Sequence, residues 1–129
     1  MATTATMPLT RVIIYVGDVE RCAKFYGDVF GFKVMPQTYT AGEWAELDTG
    51  ACRVAFHKAY GQGGVPIGKP TGSTQNPHKI VFFAEDVPAK RDELIARGAK
   101  MGEVMTFDMV VLCDGQDVEG HVFQICNRP

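Results

Sequence analysis

The chain repeats one pattern of helix-start and helix-stop residues, and this repeat constrains the fold more than any other feature. Asp18 and Asp86 each follow an apolar stretch and are 68 residues apart, while Gly31 and Gly98 are 67 apart. An aspartate accepts hydrogen bonds from the free N–H groups at a helix start, and a glycine takes the positive φ wanted just past a helix end. The spacing therefore predicts one supersecondary unit built twice.

Apolar and β-branched patterns fill in the rest of each unit. In the first half they predict a strand at 9–16 and then a helix that starts at Val19 and ends before Gly31. Three more strands follow at 32–35, 43–48 and 51–58. The second half repeats the order, with strands at 79–84, 101–107, 109–113 and 122–126 and a helix that carries Leu94 and Ile95. We expect an α+β fold in which two tandem βαβββ modules form a curved mixed sheet around a cleft.

The whole chain, 1–129, is expected to form a single domain, because it is too short for two independent cores. The first module spans 8–60 and the second 78–129. The linker 61–77 is rich in glycine and proline, which cannot sustain a long helix or a central strand. It either closes over the cleft as a lid or is a slack connector, with the lid favoured because structureless loops of this length are uncommon.

Charge and composition exclude several classes of protein. The net charge is −2, with 46% hydrophobic and 22% charged residues, so a nucleic-acid or acidic-membrane partner is not expected. No apolar stretch approaches the roughly 18 residues of a membrane span, and a cytoplasmic location is expected. The four cysteines form no C-x-x-C pair and are expected to be buried free thiols.

Two segments resemble a known family. VGDVERCAKFYGDVFGFKV is similar to the opening helix of the vicinal-oxygen-chelate superfamily, and DVEGHVFQI is similar to its closing D-P-x-G-x-x-x-E-L signature. The resemblance spans nearly the whole chain and implies the glyoxalase/bleomycin-resistance/dioxygenase fold, often completed as a homodimer. The superfamily includes lyases, isomerases, dioxygenases and drug-binding resistance proteins, so membership alone does not fix an activity.

The metal ligands of that family are missing here. The resemblance places the four ligand positions at Arg11, Ala55, Lys79 and Gln124. Guanidinium and ammonium groups have no free lone pair, a methyl group has no donor atom, and an amide is a weak ligand. We therefore expect no metal and no cofactor. A shifted site remains an alternative, and its possible ligands are His57, His78, His121 and Glu46.

The side chains expected to look into the cleft follow from the alternation of strand residues. The candidate ligand-binding residues are Arg11, Tyr15, Trp44, Glu46, Arg53, His57, Lys79, Phe83 and Gln124. Arg11 and Lys79, as cations in a partly desolvated cleft, would hold a small anionic or aromatic molecule without metal. Their nearest candidate partners within the chain are Glu46 and Asp48, on one face of a neighbouring predicted strand. Two alternatives stay open, an internal salt bridge between Arg11 and Glu46 with no ligand, and a metal-dependent lyase, isomerase or dioxygenase. No residues at triad spacing indicate catalysis.

Overall fold

A computed structural model describes residues 7–61 and 77–129. Its elements follow the βαβββ order twice, as predicted. They are β1 (Arg11–Val16), α1 (Val19–Phe30), β2 (Lys33–Val34), β3 (Trp44–Asp48), β4 (Arg53–Lys58), β5 (Ile80–Phe83), α2 (Val87–Ala96), β6 (Lys100–Phe107), β7 (Val110–Gln116) and β8 (Val122–Cys126). The predicted lid or connector falls, apart from its two end residues, outside the described residues.

Both helices begin and end where the repeated residues predict. The Asp18 carboxylate accepts a hydrogen bond from the backbone N–H of Arg21 at 3.0 Å, and Asp86 accepts one from Ala89 at 3.0 Å. Gly31 and Gly98 take φ values of 77° and 104°, which residues with a Cβ rarely adopt. The residues that repeat in the sequence are therefore those that start and end the two helices.

Each module forms its own four-stranded sheet. Sheet 1 has the order β1-β4-β3-β2 and sheet 2 the order β5-β8-β7-β6. In both sheets the first strand pairs in parallel with the last, and the other pairs are antiparallel. The predicted α+β fold of two βαβββ modules is therefore confirmed, and β1 and β5 are edge strands of the two sheets.

Strand boundaries differ from the prediction at β7. The sequence pattern placed this strand at 109–113, but it runs from Val110 to Gln116. Met109 belongs instead to the tight turn after Asp108, whose φ is 55°. The extension past Cys113 brings Asp114 into the sheet opposite Gln124. Hydropathy could not show this, because Asp114, Gly115 and Gln116 are all polar or small.

The two modules pack against each other through the faces that their helices cover. Tyr26 and Phe30 of α1 contact sheet 1 at Phe56 and sheet 2 at Phe82 and Phe123, with ring centroids 5.3 Å apart for Tyr26–Phe56, 4.7 Å for Phe30–Phe82 and 5.1 Å for Phe30–Phe123. Side chains alternate between the two faces of a strand. The opposite faces of the two sheets, called here open face 1 and open face 2, therefore lie on the outside of this packing.

The turn between β7 and β8, which is buried at Asp117, also joins the modules. The Asp117 carboxylate, 6% exposed, accepts a hydrogen bond from the Tyr26 hydroxyl at 2.9 Å. Glu119 accepts hydrogen bonds from the N–H groups of Gly17 and Asp18, at 2.9 Å each, just before α1. Burial raises the pKa values of Asp117 and Tyr26. The turn therefore fixes module 2 to the start of α1.

Among the described residues, no helix is both long and apolar enough to cross a membrane. All four cysteines are free thiols, as predicted, and only Cys52 is partly exposed. Burial strongly raises the pKa of the Cys22 thiol, so this thiol stays protonated and unreactive.

Candidate functional site

Open face 1 gathers six of the nine predicted site residues. The strand register pairs Arg11 with Arg53, Tyr15 with His57, and Trp44 with His57. Glu46 lies opposite Ala55, one step along the same face. Directly paired residues of a sheet point to the same side. The six are Arg11, Tyr15, Trp44, Glu46, Arg53 and His57.

Glu46 is the buried centre of this face. Its carboxylate is 1% exposed and accepts hydrogen bonds from Arg11 at 3.1 Å and from Arg53 at 3.3 Å. The two arginine side chains are themselves 45% and 44% exposed. Two cations therefore share one anion, which leaves one net positive charge and free N–H donors at the surface.

This geometry distinguishes between the two candidate partners of Arg11. The salt bridge between Arg11 and Glu46 is present, as one of the alternatives predicted. Asp48, the other carboxylate considered as a partner, is exposed and instead accepts a hydrogen bond from the backbone N–H of Gly50 at 2.8 Å. Because Arg11 and Arg53 both pair with the single carboxylate of Glu46, open face 1 keeps one net positive charge.

Aromatic rings surround His57 on the same face. The His57 ring centroid lies 5.2 Å from that of Tyr15, 5.7 Å from that of Trp44 and 6.2 Å from that of Tyr60. The Arg11 guanidinium carbon lies 5.9 Å from the Trp44 ring centroid, within the range of a cation–π contact. We call Tyr15, Trp44, His57 and Tyr60 the aromatic cluster. It is continuous with the arginine pair through Trp44.

Open face 2 carries the remaining predicted residues. The Lys79 ammonium lies 3.2 Å from the Asp114 carboxylate, and Gln124 donates a hydrogen bond to the same carboxylate at 3.1 Å. Asp114 lies opposite Gln124 in sheet 2, just as Glu46 lies opposite Ala55 in sheet 1. Each module therefore has a carboxylate at this position that pairs with a cationic side chain. Lys79, like Arg11, is paired. Phe83 is 57% exposed on this face.

The described modules contact each other through their helix-covered faces, where Phe30 of α1 meets Phe82 and Phe123. A cavity of about 480 Å³ lies between the modules, and Phe30, Phe82, Phe83 and Leu94 are among the residues that line it. None of the charged residues predicted for the site borders it.

The donor atoms do not fit a metal. The four positions implied by the family divide between the sheets, with Arg11 and Ala55 on open face 1 and Lys79 and Gln124 on open face 2. The shifted set is not gathered either, because nowhere in residues 7–61 and 77–129 do three His, Cys, Asp or Glu side chains meet in a group that could hold an ion. Glu46 is engaged by two arginines, and His121 lies beside Asp117.

Sequence reasoning does not identify two residues of the open faces, Tyr60 and Asp114, or the role of Asp117 in the β7–β8 turn. Tyr60 follows the end of β4, where strand alternation no longer predicts direction. Asp114 lies in the part of β7 that was not recognised as strand. Asp117 was noticed only as part of the closing signature. Its Asp-x-Glu-Gly pattern is typical of a turn and could have indicated its role.

Comparison with known proteins identifies the class. The family model of the Glyoxalase/Bleomycin resistance protein/Dioxygenase superfamily matches residues 9–124, and the chain belongs to this family. A search of curated proteins gave no significant match.

Solved structures with the same fold come from proteins described in different ways. A glyoxalase/bleomycin resistance protein/dioxygenase family enzyme from Burkholderia phytofirmans PsJN is 22% identical, with a TM-score of 0.72 over 93% of this chain and 98% of that one. TnmS3, an antibiotic binding protein from Streptomyces sp. CB03234, is 19% identical, with a TM-score of 0.71 over 95% and 97%. Lactoylglutathione lyase from Agrobacterium tumefaciens is 14% identical, with a TM-score of 0.72 over 96% and 95%. At these identities the likeness shows the fold alone.

Proposed function

We propose that the protein binds a small anionic aromatic molecule on open face 1 without a metal. The observation that carries the proposal is the buried Glu46 carboxylate held by two half-exposed arginines beside the aromatic cluster. Glu46 fixes the positions of Arg11 and Arg53 while neutralising only one of the two charges. A ligand carboxylate or phenolate would supply the second negative charge.

The contacts available on this face suit such a ligand energetically. A charge-assisted hydrogen bond contributes roughly 1.5–3 kcal/mol, and ring stacking adds about 0.5–1.5 kcal/mol beyond area burial. Because Arg11 and Arg53 are already ordered by Glu46, a ligand loses less side-chain entropy on binding them. The ligand ring would lie against Trp44 and Tyr15.

The same observations favour a binding protein over a metal-dependent enzyme. The lyase, isomerase or dioxygenase alternative needs donor atoms that converge on one ion. Here the carboxylates of the two faces, Glu46 and Asp114, are instead engaged in ion pairs with cationic side chains. One structural neighbour is described as an antibiotic binding protein, which shows that the fold is compatible with this kind of role.

We further propose that the protein is a homodimer in the cytoplasm. The edge strands β1 and β5 expose apolar side chains on the open faces, with Ile13 43%, Val81 52% and Phe83 57% exposed. A second copy could place its open face 2 across open face 1, so that Lys79, Phe83 and Gln124 of the partner complete the ligand site. Four free thiols suit a reducing compartment.

Binding of simple aromatic acids tests the proposal. We expect benzoate, cinnamate or 4-hydroxycinnamate to raise the melting temperature and to give a calorimetric isotherm. Arg11→Ala and Arg53→Ala should each weaken binding about tenfold, as expected for losing one charge-assisted hydrogen bond. Arg91→Ala is the matched control, because Arg91 bonds to the carbonyl of Gly102 on module 2. No binding of any acid, or equal affinities for all three variants, would contradict the proposal.

A further inference from the structure

The proton position on His57 follows from one contact. Its Nδ1 lies 2.8 Å from the backbone carbonyl oxygen of Lys58. A carbonyl oxygen only accepts hydrogen bonds, so Nδ1 must carry the proton. In the neutral ring the lone pair is then on Nε2. The backbone of β4 itself thus selects the tautomer.

Nε2 is left without a hydrogen-bond partner in the part of the chain that the structure describes. The side chain is only partly buried, and its ring contacts are with Tyr15, Trp44 and Tyr60. Trp44 and Tyr60 meet the imidazole nearly edge to face, at interplanar angles of 88° and 78°. Three rings and one hydrogen bond therefore hold His57 in place with an acceptor atom free.

The arginine pair and His57 lie at opposite ends of one strip of open face 1. Arg11 is paired with Arg53, and four residues further along β1 Tyr15 is paired with His57. Four residues of a strand span about 13 Å. The Arg11 guanidinium extends over Trp44, which also touches His57, so the gap between the two functional groups is shorter than this. An elongated planar molecule would fit between them.

We propose that His57 is a specificity-determining residue that accepts a hydrogen bond, through Nε2, from a hydroxyl group of the ligand. The inference rests on the proposed function and names the ligand class more closely, as a hydroxyaryl acid with its acid at Arg11 and Arg53 and its phenol at His57. A methyl ether cannot donate this hydrogen bond, because a methyl group replaces the hydrogen that the hydroxyl would donate to Nε2. A site built to pair a hydroxyl discriminates strongly against analogues that lack it.

Calorimetry with three matched compounds tests this. Wild type should bind 4-hydroxycinnamate at least about tenfold more tightly than cinnamate or 4-methoxycinnamate. His57→Phe keeps an aromatic ring but has no acceptor, so it should bind the three compounds with equal affinities. His57→Gln restores an acceptor and should recover part of the preference. Tyr39→Phe loses only a hydroxyl that donates a hydrogen bond to Glu20 on α1, outside the aromatic cluster, so it is the matched control and should keep the preference in full.

The outcomes separate the two proposals. Binding of all three acids by wild type with equal affinity would overturn the role of His57 and leave the arginine site intact. A hydroxyl preference that persists in His57→Phe would also overturn it. Loss of the preference in Tyr39→Phe would overturn it too, because Tyr39 lies outside the aromatic cluster. If wild type binds none of the acids, the proposed function fails, and this inference fails with it.

Discussion

The exchange Glu46→Gln should weaken the fold and strengthen anion binding, which makes it an informative perturbation of open face 1. Breaking a fully buried ion pair typically costs 3–5 kcal/mol. Here the partners Arg11 and Arg53 are nearly half exposed, so water takes over part of their solvation. Glutamine also keeps the shape and one acceptor oxygen. We expect the free energy of unfolding to fall by about 1–2 kcal/mol.

The effect on binding has the opposite sign. Removing the carboxylate charge raises the net charge of the arginine pair and Glu46 from one to two. At about 6 Å and an effective dielectric constant of about 60, one further charge stabilises a bound anion by roughly 1 kcal/mol, or about fivefold in affinity. Because the arginines are exposed, the gain should shrink at high salt. Urea unfolding and calorimetry with 4-hydroxycinnamate at two salt concentrations measure both effects.

A matched control exists on α2. Glu93 also joins two cations, with Lys90 at 2.7 Å and Arg97 at 2.8 Å, on a helix away from both open faces. Glu93→Gln makes the same change in net charge and should leave the affinity for the acid unchanged. If Glu46→Gln instead weakens binding as much as Arg11→Ala does, the carboxylate is part of what the ligand needs. The charge argument would then be refuted.

Three further predictions concern the packing and assembly of the modules. Phe123 is 1% exposed where the modules meet, so Phe123→Ala should lower the free energy of unfolding in urea by about 3–5 kcal/mol. Phe107 is 56% exposed, and Phe107→Ala should lower it by under about 1 kcal/mol. Equal losses would contradict the packing described. Burial raises the pKa of Asp117 above its ordinary value of 3.8, so the folded state binds that proton more tightly than the unfolded state. Relative to Asp117→Asn, wild type should therefore lose stability as the pH rises from about 4 through the raised pKa, and parallel pH profiles would argue against this. Light scattering should give the mass of a dimer, and Phe83→Lys should shift it towards the monomer; a monomeric wild type would refute the shared site.

Local signals carried most of the fold prediction. Helix caps such as Asp18 and Gly31 act within one turn, so the sequence window around them contains the whole physical cause. Strand alternation likewise placed Arg11, Tyr15 and His57 on one face, since a side chain's direction depends only on its position in the strand. Both kinds of inference needed no knowledge of distant residues.

The packing of the modules could not be predicted in this way. Strand β5 reads Ile-Val-Phe-Phe and is apolar on both sides, so hydropathy does not show which side meets α1. The contact that decides it, Phe30 with Phe82 and Phe123, joins residues far apart in the chain. The ion pair between Arg11 and Glu46 could not be predicted either. The sequence places Glu46 on another strand of the same module, but it does not give the strand order and register that bring the two side chains together.

The account depends most on ligand binding that needs no metal. The direct measurement is a calorimetric titration of 4-hydroxycinnamate into the protein before and after treatment with a chelator, and again after adding Zn²⁺ or Mn²⁺. We predict one dissociation constant throughout, with the signal lost only when Arg11 and Arg53 are both replaced by alanine. Binding that disappears on chelation and returns with a stoichiometric divalent ion would contradict the central claim.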